Sequence, residues 1–345
     1  VNVRHFGDPS HHGWLNGAIY YFKIAVALAV AAIPEGLAAV ITACLALGTQ
    51  KMARKNAIVR HLPSVETLGS TSVICSDKTG TLTTNEMSVT AMYLVGDNTE
   101  YKVTGTTFAP EGSIMLEGNT MTGLSRPGNA VQALAEACAV CNDATIVVDS
   151  NGRHKAIGQA TEAALRVLVE KIGYHDHVQQ AHVSSLQPAL RVSAVCDMYA
   201  KSLTRLATLD FTRDRKMMST FVRRSANKLR LLVKGAPESV LLCSTHVYLN
   251  ENERIPLTDE MRVSLQQKLD AYGNDGLRVL AVAVRDDMSL PDLFSPLDPS
   301  KYTEYEHNLS LVGFVGMRDP PRSEVALGIR SWMVAGVRVV MRTGD

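Results

Sequence analysis

An apolar stretch over residues 17–48 is the feature that most limits the folds open to this chain. Within it, only Lys23 and Glu35 carry a charge. A helix of about twenty apolar residues spans a bilayer, so the stretch is long enough for one span and an interfacial turn. The basic segment QKMARK follows at 50–55, as is typical of a cytoplasmic membrane boundary. We expect a transmembrane helix in contact with membrane lipid; the alternative is a buried helix of a soluble domain.

Glu35 lies inside this stretch, between Pro34 and Gly36. An ionisable side chain at membrane depth is costly and needs a functional reason. Pro34 lacks a backbone N–H and Gly36 weakens the next turn, so upstream carbonyl groups lose their helical partners. Freed carbonyl oxygens beside a carboxylate suit Ca²⁺, although Na⁺, K⁺ and H⁺ stay open on these grounds. The alternative is a protonated or snorkelling glutamate in a helix bundle.

The rest of the chain has the composition of reduced, cytosol-facing protein. It has 345 residues, 46% of them hydrophobic, and a net charge of +1, so we expect two or three domains. The near-neutral charge gives no electrostatic reason to expect nucleic acid as a partner. Six scattered cysteines argue against a disulfide framework. Cys138 and Cys141 lack a second ligand pair at zinc spacing, so we interpret them as two cysteines on one helix face.

Asp77 follows a short apolar run and opens the loop DKTGT. The run predicts a buried strand that ends at a catalytic residue. A carboxylate can attack a phosphoryl group and hold it as an aspartyl phosphate, provided that backbone N–H groups, a cation and Mg²⁺ offset the negative charge. Lys78, Thr79 and Gly80 fit that need. The alternative is a simple turn, because Asp, Gly and Thr are common in turns.

Beyond this loop, the pattern predicts an inserted domain within a split sheet. From about Met87, alternating apolar residues predict antiparallel strands, followed by helices at 129–141 and 161–172 that each begin with a capping residue. Further strands are predicted at 209–223, 229–234 and 277–285. A strand predicted at 311–317, a helix at 323–335 and a strand at 337–341 give a strand, helix, strand order, which implies a parallel sheet. We expect one sheet that begins near Val73 and resumes near Asp319. The chain starts without Met and stops after a predicted strand, so we expect a fragment of a longer protein.

Five motifs in order resemble those of the P-type ATPases. They are IPEGL at 33–37, CSDKTGTLT at 75–83, KGAPE at 234–238, DPPR at 319–322 and TGD at 343–345. The chain has no Walker A loop and no strand–GxGxxG–helix, so a nucleotide must be held in another way. The span KIAVALAVAAIPEGL resembles most the calcium pumps of the endoplasmic or sarcoplasmic reticulum. The resemblance covers essentially the whole chain.

The resemblance implies a multidomain membrane protein fragment. Its parts are a luminal loop, one broken transmembrane helix and a stalk at 1–55, an incomplete α/β haloacid-dehalogenase-like phosphorylation domain at 56–86 and 319–345, and an inserted α+β nucleotide-binding domain at 87–318. The implied activity is ATP-driven Ca²⁺ transport across the endoplasmic or sarcoplasmic reticulum membrane through an aspartyl phosphate. The catalytic domains would face the cytosol, and the remaining pump domains would lie outside this chain.

The resemblance also assigns roles to residues around phosphate and metal. Asp77 would be phosphorylated beside Lys78, with its carboxylate and the Thr79 carbonyl as Mg²⁺ ligands. The transferred phosphoryl group would be cradled by Thr343 and Gly344, with Asp345 beside them. The Ca²⁺ ligands would be Glu35 and the backbone oxygens of Val30, Ala31 and Ile33.

For ATP, the resemblance implies a set of contacts in the inserted domain: Glu162, Phe211, Arg213, Lys216, Lys234, Gly235 and Arg278. Phe211 would stack on adenine, Gly235 would let the base approach the backbone, and Arg278 would reach the phosphates. From the residues alone, we interpret Phe211 as core packing and the charged members as solvated surface. A non-catalytic nucleotide-binding module is therefore an alternative, as is a pump for another cation.

Three positions depart from the family pattern. Ala38 stands where calcium pumps usually have proline, Gln159 replaces a usual glutamate, and Arg342 occupies a usually apolar place. A charge at Arg342 in a buried strand would cost several kcal/mol unless it were paired. A soluble dehalogenase-type phosphatase is a weaker alternative, since such enzymes usually carry a second aspartate where Thr79 stands.

Overall fold

The computed structural model describes Phe6, Ser10 and residues 13–32, 35–122, 124–186, 191–225, 228–286 and 299–343. The chain divides into two compact units. One comprises Val1–Cys75 with Gly328–Val340, and the other Ser76–Leu327 with Met341–Asp345. The domain boundaries given above stay predictions.

Helices and strands are numbered in chain order. The helices are α1 (Trp14–Ala32), α2 (Glu35–Ala53), α3 (Pro63–Gly69), α4 (Ala130–Val140), α5 (Ala160–Ile172), α6 (His177–Ser185), α7 (Ala194–Ser202), α8 (Pro237–Cys243), α9 (Asp259–Asn274) and α10 (Val325–Val334). The strands are β1 (Val73–Asp77), β2 (Ser88–Leu94), β3 (Thr99–Val103), β4 (Ile114–Leu116), β5 (Asn119–Met121), β6 (Thr145–Val148), β7 (His154–Ile157), β8 (Thr204–Leu209), β9 (Met217–Ser225), β10 (Lys228–Gly235), β11 (Ser244–Asn250), β12 (Glu253–Pro256), β13 (Arg278–Asp286), β14 (Leu309–Arg318) and β15 (Arg338–Arg342).

In the smaller unit, α1 and α2 form the apolar stretch. Trp14–Ala53 is long and apolar enough to cross a membrane, by length and composition. Large apolar side chains along it are exposed, among them Leu15 at 66% and Phe22 at 69%, so this chain does not bury the stretch in a core of its own. Ile33 and Pro34 lie outside the described residues, so the break in the helix stays a prediction.

Strands β1 and β15 pair in a two-stranded sheet. The backbone N–H of Arg338 donates to the carbonyl of Ser72 at 2.9 Å. The two strands therefore begin side by side and run parallel, as expected of one sheet that begins near Val73 and resumes near Asp319. The prediction that the strand at 311–317 belongs to this parallel sheet is wrong, because β14 pairs antiparallel with β2 and β13. The prediction that β1 is buried is wrong, because its residues are exposed or only half-buried. The reason is that each of the two strands is an edge within the described chain.

The larger unit contains one large sheet in the order β5-β4-β3-β2-β14-β13-β10-β9-β8, with β11 paired to β14 and β12 to β11. Its main path is antiparallel, as the pattern after Met87 predicts. The single strand predicted at 209–223 is wrong. Residues 210–216 form a loop between β8 and β9, in which the N–H of Lys216 closes a turn on the carbonyl of Thr212 at 2.8 Å.

The large sheet buries both of its faces. Met92 and Leu94 of β2 pack in one cluster with helices α4, α5 and α7, whereas Ala91 and Tyr93 pack in a second cluster with α8 and α9. This alternation is the period of two expected along a strand. A core on each side therefore fixes the positions of the strand ends.

The two helices predicted near the start of the inserted segment are confirmed, with one correction. The Asn129 side chain caps α4 by accepting from the N–H of Gln132 at 2.8 Å. Helix α5 ends at Gly173, whose φ of 83° suits glycine. It begins after Gln159, which makes no side-chain cap bond, so the predicted capping residue at its start is wrong.

Candidate functional site

A cavity of about 680 Å³ lies beside the ends of β8, β10 and β13 and the start of α5. Its volume is within the usual range for ligand pockets. The cavity brings together most of the residues predicted to hold a nucleotide: Glu162, Phe211, Lys216, Lys234, Gly235 and Arg278. Arg213 is exposed and is not among the described residues that line the cavity.

Phe211 lies on the loop between β8 and β9 with 56% of its surface exposed. The interpretation of this ring as core packing is therefore wrong. A ring that is held at a cavity wall but left open offers a face on which a planar base can stack.

Lys234 and Glu162 form the buried ion pair of the cavity wall. The Lys234 ammonium lies 2.6 Å from a Glu162 carboxylate oxygen, and Lys234 is only 6% exposed. The other carboxylate oxygen of Glu162 accepts from the N–H of Asp143 at 3.4 Å. The interpretation of Lys234 as a solvated surface charge is wrong, since burying an ammonium requires a partner of this kind.

Gly235 is required by the neighbouring strand. A Cβ on this residue would lie 2.5 Å from the Cβ of Met217 and 2.7 Å from the carbonyl oxygen of Lys216. The close approach of β9 thus accounts for the glycine without any ligand.

The other two predicted cations of the cavity are solvated. Lys216 is exposed and pairs with Glu238 at 3.3 Å, and Arg278 is exposed at the first position of β13. Both can move toward a negatively charged ligand at little cost, because they have no buried partners to leave.

The two cysteines of the CxxC sequence lie behind this wall. Cys138 and Cys141 are buried, and the Cys141 thiol donates to the carbonyl of Met218 at 3.5 Å. Burial raises the pKa of the Cys138 thiol to about 12. Both therefore pack as neutral thiols at the end of α4.

Asp77 is the last residue of β1 and is exposed. A tight turn over Lys78–Leu82 follows it, in which Gly80 has a φ of 74°. That positive φ explains the glycine in the motif, because other residues rarely adopt it. The sequence therefore predicts correctly that a strand delivers Asp77 into a turn.

The loop after Asp77 is hydrogen-bonded to the segment that contains Asp319 and Arg322. The Thr83 hydroxyl donates to a carboxylate oxygen of Asp319 at 2.6 Å. The N–H of Arg322 donates to the Leu82 carbonyl and its guanidinium to the Gly80 carbonyl, both at 2.9 Å. The second carboxylate oxygen of Asp319 is buried without a hydrogen-bond partner among the described residues. Two motifs far apart in sequence thus form one structural element.

The remaining predicted phosphate and metal residues are placed only in part. Thr343 is exposed and directly follows β15, while Gly344 and Asp345 lie outside the described residues. Because β1 and β15 are parallel, Asp77 and Thr343 lie where the two strands end, at the same edge of their sheet.

The predicted Ca²⁺ ligands lie at the junction of the two apolar helices. Val30 and Ala31 are in the last turn of α1 and Glu35 is the first residue of α2, and the Glu35 side chain and Ile33 lie outside what the structure describes. Within the described residues, no three His, Cys, Asp or Glu side chains cluster as a metal site.

Comparison with known proteins gives two findings. The model of the family described as P-type ATPase, cytoplasmic domain N, matches residues 130–324. The endoplasmic reticulum calcium ATPase srcA of Aspergillus fumigatus is 50% identical over 352 residues, covering 100% of this chain and 36% of the relative. The chain belongs to the P-type ATPases. It spans about a third of the length of that relative.

The three departures from the P-type ATPase pattern have local structural consequences. Gln159 lines the cavity, so a neutral amide replaces a negative charge there. The Ala38 carbonyl accepts from the Thr42 hydroxyl at 2.9 Å, a bond that keeps this carbonyl occupied on the helix surface. Arg342 is exposed, so the expected cost of burying its charge does not arise in this chain.

Sequence reasoning missed several features of this P-type ATPase cavity. Asp143, Thr161 and Asp210 also line it, although nothing about their spacing marks them. It also missed the buried pair of Arg215 and Glu306, whose atoms lie 2.5 Å apart. The charged run RDRK between two apolar segments is the one signal that indicated a loop in place of a continuous strand.

Proposed function

We propose that this chain is part of an ATP-driven Ca²⁺ pump of the endoplasmic or sarcoplasmic reticulum membrane, which works through an aspartyl phosphate on Asp77. Three observations support the proposal: the P-type ATPase family, the 50% identity to a fungal endoplasmic reticulum calcium ATPase, and the cavity that collects the predicted nucleotide contacts. The cavity carries most weight, because it gathers residues from four separate segments into one space of ligand size. A pump for another cation remains the second candidate, since Glu35 alone does not select Ca²⁺.

ATP would bind in this cavity. The exposed Phe211 ring would stack on the adenine, as bases stack on aromatic side chains elsewhere. Lys234 and Glu162 would remain paired or exchange partners with polar atoms of the base. Lys216 and Arg278, which are solvated, would turn toward the phosphates.

Phosphoryl transfer would use the Asp77 loop. A carboxylate oxygen of Asp77 would form a bond to the γ-phosphorus of ATP while the bond to the β–γ bridging oxygen breaks, and ADP would leave with that electron pair. Lys78 would offset the charge on the transferred group, and Thr343 and Gly344 would cradle it by hydrogen bonds. The Asp77 carboxylate and the Thr79 carbonyl are hard oxygen donors of the kind that Mg²⁺ prefers, and they would hold that ion. Bound there, Mg²⁺ would supply charge neutralisation.

Ca²⁺ would bind in the membrane near the junction of α1 and α2. Glu35 would supply a carboxylate and Val30, Ala31 and Ile33 backbone oxygens, a donor set that suits this cation. Membrane lipid would surround the exposed apolar side chains of both helices.

The proposal for the whole pump is tested by acid-stable labelling with γ-³²P-ATP. We expect the Asp77→Asn pump to give no phosphoenzyme, and the Glu35→Gln pump to lose the dependence of labelling on Ca²⁺. Asp259→Asn, an exposed carboxylate at the start of α9, is the matched control and should label normally. Labelling of the Asp77→Asn pump at the level of the unaltered pump would refute the aspartyl phosphate mechanism on Asp77.

The 345-residue chain alone is better described as a nucleotide-binding module. We expect it to bind a fluorescent ATP analogue without becoming labelled, because the other pump domains are needed for the cycle. A titration beside the labelling assay tests this, and labelling of the isolated chain would contradict it.

A further inference from the structure

We propose that Arg215 and Glu306 form a bracket that positions the nucleotide-binding loop 210–216 without touching the nucleotide. The inference rests on the proposed nucleotide binding and adds two positioning residues to it. The bracket is defined as the Arg215 guanidinium, the Glu306 carboxylate and the groups that they bind.

Arg215 ties the loop to itself. Its Nε donates to the Thr212 hydroxyl at 3.1 Å, and one of its terminal nitrogens donates to the Asp210 carbonyl. Phe211 lies between those two attachment points in sequence. One planar guanidinium with donors on several sides can fix both points at once, which a flexible ammonium cannot do.

Glu306 ties the loop to the rest of the unit. Both of its carboxylate oxygens accept from Nη1 of Arg215, at 2.5 and 2.6 Å, and one also accepts from the Ser219 hydroxyl at 2.5 Å. Glu306 is only 2% exposed, so water cannot replace these bonds cheaply. The carboxylate thus joins the loop to strand β9.

An aromatic residue completes the bracket. The Arg215 guanidinium lies over the Tyr302 ring, 4.7 Å from its centroid, and Tyr302 is 6% exposed. The backbone N–H of Glu306 donates to the Tyr302 carbonyl at 3.2 Å. The cation, the ring and the carboxylate therefore hold one another in a fixed arrangement.

The bracket meets the cavity through the loop itself, because Asp210, whose carbonyl accepts from Arg215, also lines the cavity. Phe211 and Lys216 line the cavity, whereas Arg215 is not among the described residues that line it and has a side chain only 9% exposed. Lys216 has a φ of 55°, a conformation that a side-chain-bearing residue adopts only when its surroundings impose it. Pre-organising both ligand contacts in this way would lower the cost of ordering the loop on binding.

The experiment uses the detergent-solubilised 345-residue chain and two matched pairs of conservative variants. Arg215→Lys and Glu306→Gln loosen the bracket. Arg230→Lys and Glu136→Gln loosen a second buried arginine–glutamate pair, 3.0 Å apart, in the same unit. For each variant we would measure the dissociation constant of a fluorescent ATP analogue, hydrogen exchange of residues 210–216 without nucleotide, and the unfolding midpoint in urea.

We expect both bracket variants to bind the analogue at least fivefold more weakly and to exchange faster across 210–216. The Arg230→Lys and Glu136→Gln variants should lose stability yet stay within twofold of the unaltered affinity. Equal loss of affinity in both pairs, or unchanged affinity in Arg215→Lys, would reduce the bracket to a purely structural ion pair and overturn the proposal. Failure of the unaltered chain to bind the analogue would instead refute the proposed nucleotide site, and the positioning role with it.

Discussion

Two buried cations on strand β10 differ in a way that separates a structural charge from a candidate site. Arg230 and Lys234 project from the same face of the strand because their spacing is even, and they are 1% and 6% exposed. Each meets a glutamate from a helix over that face: Glu136 of α4 at 3.0 Å and Glu162 of α5 at 2.6 Å. The strand and the kind of partner are the same, so the rest of the environment must decide the role.

All three nitrogens of the Arg230 guanidinium are hydrogen-bonded to carboxylates. Two of its nitrogens bond to Asp286 at 2.5 and 3.0 Å, and its guanidinium lies 5.6 Å from the centroid of the Tyr248 ring. Burial alone would lower the pKa of Arg230, but the bond to Asp286 and the charge of Glu136 raise it above its ordinary value. The cleft beside it holds about 200 Å³, which is below the usual size of a ligand pocket.

Lys234 has one carboxylate partner among the described residues and borders the cavity of about 680 Å³. Its pair with Glu162 can be hydrated or re-formed with a ligand. The comparison teaches that a buried charge indicates a site only when open space of ligand size adjoins it.

The largest expected effect is on stability, at Arg230. Arg230→Ala would remove the cation that joins Glu136 to Asp286 and leave them only Arg224, at 3.5 Å, and Arg254, at 2.7 Å. Removing one partner of a buried ion pair typically costs about 3–5 kcal/mol in the free energy of unfolding, and we expect the lower end of that range. Urea unfolding measures that cost. Nucleotide affinity, measured where the variant is still folded, should stay within about twofold of the unaltered chain (about 0.4 kcal/mol). A loss of stability below about 1 kcal/mol would show that the hydrogen bonds of Arg230 contribute little to the free energy of unfolding.

The next effect is on binding, at Lys234. Lys234→Gln should weaken binding of an ATP analogue by about tenfold, which corresponds to about 1.4 kcal/mol. Its loss of stability should be smaller than that of Arg230→Ala, because water in the cavity can solvate Glu162. Lys228→Gln, an exposed lysine at the other end of β10, is the control. Unchanged affinity in Lys234→Gln would remove the distinction between the two cations.

A smaller effect on binding is expected at Phe211. Phe211→Ala should weaken binding of the ATP analogue by about fivefold, which is at the lower end of the range for loss of a stacked base. Because the ring is 56% exposed, the free energy of unfolding should change by less than about 0.5 kcal/mol. Phe211→Tyr keeps the ring and should bind normally. A large loss of stability would show that the ring packs in a core after all.

Local signals in the sequence were enough to predict much of the fold. Asn129 and Gly173 mark a helix start and a helix end through bonds that reach only a few residues, and the apolar runs at β10 and β14 mark buried strands. The nucleotide contacts, by contrast, followed from the resemblance to a family. Hydrophobicity alone assigned Phe211 to a core, because it does not show which apolar residues a protein leaves exposed for a ligand.

The ion pairs could not be predicted from the sequence. Arg215 and Glu306 lie far apart in the chain, as do Arg230 and Asp286, and a single sequence does not show which distant charges meet. The continuous strand predicted at 209–223 failed for a related reason. The apolar residues on both sides of RDRK fit one strand. The turn closed by Lys216, by contrast, depends on the tertiary contacts of Arg215 with Glu306 and Tyr302.

Glu170 of α5 sharpens the comparison, because this buried acid meets backbone groups in place of a cation. It accepts from the N–H groups of Val195 and Cys196, at 3.1 and 2.9 Å, at the start of α7. Burial raises the pKa of Glu170 to about 7, although those two bonds and the charge of Arg166 act in the opposite direction. Burial therefore outweighs the bonds, so the carboxyl group is mostly protonated below pH 7 and about half ionised near pH 7.

The sign of the pH dependence follows from that raised pKa. An unfolded glutamate has a pKa of about 4.3, so between about pH 4.5 and 7 the native state holds a proton that the unfolded state has lost. The free energy of unfolding should then fall as the pH rises through this window and level off above it. Glu170→Gln should remove about 1 kcal/mol of that fall in urea unfolding between pH 6 and 7, whereas Glu260→Gln, exposed on α9, should not. If the unaltered chain instead gained stability with rising pH and Glu170→Gln abolished the gain, the two N–H groups would be holding an ionised carboxylate. Backbone donors would then do for Glu170 what Arg230 does for Glu136.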